Sequence, residues 1–336
     1  MSKIKELINK HQLIAFFTLT YLLTWGLMTP YFLEMGDTFE IVAIIGLFGP
    51  VLANLIISRM VSPKPTDNPR GKRRITFFVT WIISTTIFTL NVKISSGIAS
   101  PILLIIFGLF GLIPAIVWAA AFSKYPQVRI SFSSLVKPQG HLRYYIFALV
   151  VPPLIKYISI PINKSLGLST LSDPEMFNNF QKLASFVVVS FLYGFLFAGG
   201  LNEEGGWTGF ALPKLQEKFN PLISSIVLWL FWILWHIPMR EAGFWNVEIE
   251  AFVRALIGTF FARFIFTWLF NKTESGLIPA MIFHISANVS FMVFPATPVH
   301  MALEAVLAII IIVAAKMWLK LPSETNLDHF PNEETA

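Results

Sequence analysis

Apolar residues along the chain gather into blocks roughly 20 long, set apart by short polar or charged stretches. They fall near 13–33, 41–60, 75–92, 99–122, 144–161, 183–201, 221–239, 251–270, 277–296 and 300–319. An α-helix of about that length crosses the hydrocarbon core of a bilayer. In lipid only helices and closed barrels satisfy their own backbone groups, and the short alternating segments of a barrel are not visible. The pattern therefore predicts an all-α, polytopic helical membrane protein with about ten transmembrane helices (eight to ten). The fifth block, with Pro152 and Pro153, and the sixth, ending at Gly199 and Gly200, are expected to be kinked. The first block follows Lys3, Lys5 and Lys10 as a signal sequence would. It is too long for the apolar part of one, and no small-residue cleavage site follows, so it is read as a retained span.

Charge refines this picture as topology. Only 13% of the 336 residues are charged and 55% are hydrophobic, so the net charge of +6 is read loop by loop. Lys64 and the Arg70–Arg74 cluster, then Lys124, Arg129, Lys137 and Arg143, then Lys316 and Lys320, fall on one side with the N-terminal lysines. The opposite loops carry Glu34, Asp37, Glu40, Asp173, Glu175, Glu241, Glu248 and Glu250. The basic side is the cytoplasm by the positive-inside rule, which places both termini there. A cluster wedged between two spans reads as a stop-transfer signal, so no nucleic-acid partner is expected. The chain divides into N-terminal transmembrane helices at 1–182 (about five), a helical core at 183–296, a last span at 297–320, and a polar tail at 321–336 expected to be disordered. With no cysteine, disulfides, thiolate metal sites and a cysteine nucleophile are excluded.

The candidate chemistry lies in Asn202-Glu203-Glu204-Gly205-Gly206-Trp207-Thr208-Gly209-Phe210, where two adjacent carboxylates follow a long apolar run. Ionisable groups at membrane depth cost several kcal/mol unless paired or hydrated, which makes them functional candidates. If the sixth helix continues through this stretch to a turn at Asn220, Glu204 lies 16 residues before the turn and His236 lies 16 after it. Both then sit about 24 Å from the turn in an antiparallel hairpin. His284, ten residues past Glu274, lies about 15 Å along its own helix and comes level if the first hairpin projects about 9 Å into the cytoplasm. Residues four apart share a helix face, which pairs Glu204 with Thr208, Trp232 with His236, and His284 with Asn288. His300 and Glu304 form a further polar pair, read as a structural contact at the outer end. Trp207, Trp229, Trp232 and Trp235 read mostly as packing or interfacial anchors.

Residues 203–215, the Phe231-Trp-Ile-Leu-Trp-His-Ile-Pro238 run, and His284-Ile-Ser-Ala-Asn288 together resemble the CPBP family of intramembrane proteases. That family includes the type II CaaX prenyl endopeptidases and the bacterial Abi, or bacteriocin-immunity, membrane proteins. Its pattern is Glu-Glu-x-x-x-Arg, then Phe-x-x-x-His, then His-x-x-x-Asn or Asp. Glu203, Glu204, His236, His284 and Asn288 match it, whereas Thr208 stands where arginine is usual and Trp232 where phenylalanine is usual. The resemblance implies an intramembrane endopeptidase of a bacterial cell membrane acting on a peptide or membrane-protein substrate. It implies Glu203 with His236 as the water-activating pair, and His284 with Asn288 as the group that stabilises the oxyanion. The donor set Glu203, His236 and His284 could hold zinc with an open position; a metal-free glutamate mechanism uses the same residues, and the sequence leaves both open.

Two other classes stay in view, a catalytically silent immunity or scaffold protein, favoured by the loss of the motif arginine, and a transporter. No internal repeat supports the transporter. Two neighbouring carboxylates at depth require a cation, and Thr208 supplies none. Arg263 lies 11 residues before Glu274, nearly level with His284. It is expected to turn inward and bond Glu203 or Glu204, against the alternative that it snorkels to the interface.

Overall fold

The computed structural model describes residues 3–33, 38–67, 70–97, 101–168, 178–241, 249–294 and 296–322. Among them there is no strand. The helices are α1 (Lys3–Lys10), α2 (Gln12–Phe32), α3 (Thr38–Gly46), α4 (Gly49–Val61), α5 (Arg70–Ser96), α6 (Pro101–Ala120), α7 (Pro126–Phe132), α8 (Leu142–Ser165) and α9 (Phe180–Phe197). Two π-helical turns follow, Gly200–Glu204 and Trp207–Ala211, and then α10 (Leu212–Gln216), α11 (Pro221–Glu241), α12 (Ile249–Lys272), α13 (Leu277–Val293) and α14 (Pro298–Ala314).

Each expected span falls on helix. Residues 12–32, 70–95, 142–165, 180–216 and 221–239 are long and apolar enough to cross a bilayer, and shorter apolar helices accompany them. The chain is thus a polytopic, all-α integral membrane protein. The span expected at 41–60 is two helices rather than one, broken at Leu47–Phe48 because Pro50 at the start of α4 has no N–H to extend α3. The outer-loop acids Glu34, Asp37, Asp173, Glu175 and Glu248, and the tail from 323, lie outside the described residues.

Inside a bilayer the backbone groups freed by proline must find partners within the protein. Pro153 in α8 has no N–H for the carbonyl of Leu149, and the Ser286 hydroxyl on α13 donates to that oxygen at 2.6 Å. Similar side-chain bonds join α2 to α11. Tyr21 donates to Phe231 O at 2.7 Å, Trp25 to Trp235 O at 3.2 Å, and the Trp235 indole to Thr24 Oγ1 at 2.8 Å. Thr24 in turn donates to Gly46 O at 2.8 Å, which ties α2 to the end of α3. Lys156 is buried in α8 with its amine 3.6 Å from the centroid of the Phe291 ring, a further ionisable group at depth that the sequence pattern did not single out. His300 caps its own helix, accepting from the Thr297 N–H at 2.8 Å.

The break after α9 and the crossing of α4 position the site. At Gly199 φ is +107°, a conformation only glycine adopts without strain. The chain then resumes as π-helix, the wide-turn form in which bonds run i to i+5, and continues through α10 to Gln216. The sixth span is therefore bent at the glycines and carries on to the turn before Pro221, where Asn220 Oδ1 accepts from the Ile223 N–H. Helix α4 crosses this segment at backbone contact. A methyl at Gly206 would lie 2.3 Å from the Pro50 carbonyl carbon, and one at Gly205 would lie 2.6 Å from Val51 Cγ2. The Asn54 amide donates to Gly205 O at 2.7 Å across the same crossing.

Because the obstacle at Gly206 is backbone, it cannot yield by a rotamer change. Gly206→Ala should lower the thermal unfolding midpoint in detergent by the equivalent of about 1–3 kcal/mol or more. Gly26→Ala, where nothing lies within 4 Å of the added methyl, should be neutral or stabilising by up to about 1 kcal/mol. Equal midpoints for the two variants would show that α4 does not pack as described.

Candidate active site

The π-helical turn brings Glu203 and Glu204 to different neighbours. Glu204 is fully buried (0% exposed), and Glu203 keeps 8% of its surface accessible. Three groups surround Glu204. His284 Nδ1 of α13 lies 2.8 Å from Oε1, the Thr208 hydroxyl one turn on donates to Oε2, and the Arg263 guanidinium of α12 lies 3.3 Å from Oε2. Arg263 also lies 3.5 Å from Thr208 Oγ1, with its guanidinium carbon 4.6 Å from the Phe266 ring centroid. It is buried and turned inward, so the cation beside Glu204 comes from α12, and the Thr208 hydroxyl bonds the same carboxylate oxygen.

Glu203 faces α11. The Trp232 indole N–H donates to Oε2 at 2.7 Å, and His236 Nε2 lies 4.0 Å from the same oxygen. His236 Nδ1 lies 2.8 Å from Trp232 O, and a carbonyl only accepts, so Nδ1 carries the hydrogen. A neutral ring then holds its lone pair on Nε2, on the side of Glu203. Trp232 is thus more than an anchor, since its indole bonds a site carboxylate. Depth alone had brought Glu204 level with His236. The structure instead pairs Glu204 with His284 and sets Glu203 beside His236, because adjacent residues on a helix point in different directions.

The third component gathers at Gly199. A methyl there would lie 2.9 Å from both His284 Nε2 and Asn288 Nδ2, so these two nitrogens converge beside the Gly199 backbone, and only glycine leaves room for them. Asn202 holds the bend, its Oδ1 accepting from Gly199 N–H at 2.7 Å and its amide donating to Leu47 O at 3.1 Å. The motif reading gave Asn202 and Asn54 no role and took Gly199 only as a bend. A clue lay in the polar asparagines within otherwise apolar blocks, a costly placement in lipid unless each has a partner.

Among the described residues no three His, Asp or Glu side chains are grouped to hold a metal ion. His284 sets Nδ1 on Glu204 and turns Nε2 toward Gly199, while Glu203 Oε2 accepts from Trp232.

Removing one partner of a buried ion pair leaves an uncompensated charge and costs about 3–5 kcal/mol. Arg263→Gln should therefore destabilise the protein by about that amount, read as the unfolding midpoint in detergent. Adding Thr208→Arg to that variant returns a guanidinium one turn from Glu204 and should recover part of the loss. Additive losses in the double variant would show that the two positions do not serve the same carboxylate.

Residues 183–290 match the family described as type II CAAX prenyl endopeptidase Rce1-like. A protein of Methanococcus maripaludis named CAAX prenyl protease 2 is 28% identical over 144 residues, 41% of this chain and 52% of the relative. The chain thus spans about half the length of the curated relative it matches. The matched segment contains both carboxylates, His236, His284, Asn288 and Arg263. Over residues 183–290 the chain is thus similar to the type II CAAX prenyl endopeptidase family.

Proposed function

We propose that the protein is an intramembrane endopeptidase that hydrolyses a peptide bond with Glu203 as the base. The observation that carries this reading is the asymmetry of the carboxylates. Glu204 is saturated by His284, Thr208 and Arg263, whereas Glu203 retains accessible surface and an Oε1 with no partner among the described residues. The 4.0 Å gap between Glu203 Oε2 and His236 Nε2 is wider than a direct hydrogen bond, and a water bridges such a distance.

In the reaction, the oxygen of that water attacks the carbonyl carbon of the scissile amide while Glu203 takes its proton. The carbonyl oxygen becomes an oxyanion, stabilised by hydrogen bonds from His284 Nε2 and the Asn288 amide. Collapse breaks the C–N bond, and Glu203 returns the proton to the departing amine. For His284 to donate at Nε2 while Nδ1 faces Glu204, the ring is an imidazolium. Two carboxylates, one guanidinium and one imidazolium then sum to zero charge, as a site at membrane depth requires. The reading needs no metal. Basic loops on the Lys124 side orient both termini to the cytoplasm in this proposal.

Glu203→Gln, His236→Ala and His284→Ala should each reduce cleavage by about 100-fold or more, because groups that act as one unit show non-additive losses. The assay uses the purified full chain and a peptide library that includes prenylated C-terminal peptides, the substrate class in the name of the relative. Retention of activity within about threefold in any variant would remove that residue from the mechanism. A wild-type signal equal to that of Glu203→Gln on every peptide would favour the silent immunity or scaffold reading.

Metal content tests the route separately. Active protein should contain much less than one zinc per chain by elemental analysis and should keep its rate after chelator treatment. One zinc per chain, lost together with activity in His236→Ala/His284→Ala, would replace the glutamate–water route with a metal one.

A further inference from the structure

An open cleft of about 560 Å³ lies where the start of α5 meets the end of α6. Arg70, Arg73 and Arg74 line it from α5 and Lys124 from the loop after α6, above a wall that includes Phe78 and Ile116. The first turn of α5 contains no acid, and none of the four cations has a carboxylate partner among the described residues. Cations at a helix N-terminus also oppose the macrodipole. A stop-transfer signal needs charge only somewhere in the loop. It does not explain why charges from two separate elements converge on one concavity, nor why that concavity continues onto exposed apolar side chains. Phe78 and Ile116 are 54% and 46% exposed, on the part of the hairpin that enters the bilayer.

We infer that this cleft is a binding site for an anionic phospholipid, with the phosphate seated among Arg70, Arg73, Arg74 and Lys124 and an acyl chain lying along Phe78 and Ile116. Guanidinium groups match phosphate oxygens in bidentate geometry, and the apolar wall distinguishes a lipid from a soluble anion. The hairpin is held rigid beneath the cleft. The Trp81 indole donates to Gly108 O at 2.7 Å and the Ser84 hydroxyl to Gly111 O at 3.0 Å, so the cations are presented on a fixed frame. The site is independent of the proposed peptidase activity and of its residues.

The test is native mass spectrometry of the full chain from mixed micelles with equal phosphatidylglycerol and phosphatidylcholine. Wild type should retain phosphatidylglycerol preferentially. Each cation removed should reduce the preference about fivefold, and Arg73→Gln/Lys124→Gln about 25-fold. Phe78→Ser should weaken retention with the cations intact, and millimolar inorganic phosphate should not displace the lipid. Lys124→Gln alone, outside the Arg70–Arg74 cluster that orients the chain, supplies the reading if the double variant does not insert. Equal retention of the two lipids by wild type, or an unchanged preference in Lys124→Gln, would overturn the inference. Displacement by phosphate alone would reduce the cleft to a simple anion site.

Discussion

Two adjacent carboxylates within a helical membrane protein set the constraint on which the rest of the structure depends. Neither can stay ionised at depth without compensation, and both cannot be compensated in the same way if one is to react. The fold separates them. Glu204 receives a guanidinium, an imidazole and a hydroxyl and has no remaining exposure. Glu203 receives one indole N–H and keeps an open side toward His236. A buried ion pair gives weak net stabilisation but is costly to break. Glu204 thus contributes less to stability than to specifying how α12, α13 and the bent span fit together.

That arrangement relies on helices outside residues 183–290, the stretch that the family model matches. Helix α4 presses on Gly205 and Gly206 and holds Gly205 O through Asn54, while α2 braces α11 through Tyr21, Thr24 and Trp25. The two glycines after the carboxylates are there for the α4 crossing, since any side chain would force that backbone away. Residues 183–290 carry both carboxylates, His236 and His284, and α2 and α4 pack against their backbone.

Much of this was legible in the sequence because lipid simplifies the rules. Ten apolar blocks became helix, the glycine bend fell at the end of the sixth, and a depth argument brought Arg263 to the level of His284. The rest depended on rotation about helix axes and on tertiary contact. Counting residues from a turn gives depth to within a residue or so but does not say which of two adjacent glutamates faces which helix. The π-helical turns alter that phase further, and hydrophobic periodicity carries no signal for them. The α3–α4 break required reading Pro50 as a helix start inside an apolar block. Lys156 was overlooked because a single lysine barely lowers the hydropathy of the block around it.

The two departures from the family pattern act on the same pair of carboxylates. Arginine at the position of Thr208 would compensate Glu204 from within its own helix. Here the charge comes from α12, with the Thr208 hydroxyl positioned between, so the balance of the site depends on how α12 packs. At the position of Trp232 a phenylalanine would offer no hydrogen bond, whereas the indole donates to Glu203 and occupies one of its oxygens. The indole holds Oε2 of Glu203 against α11. The same ring lies 4.0 Å, centroid to centroid, from His236 and 5.9 Å from the Arg263 guanidinium carbon. Trp232 therefore touches the surroundings of both carboxylates at once. With threonine at position 208, one rigid indole bonds Glu203 and lies beside the guanidinium that balances Glu204.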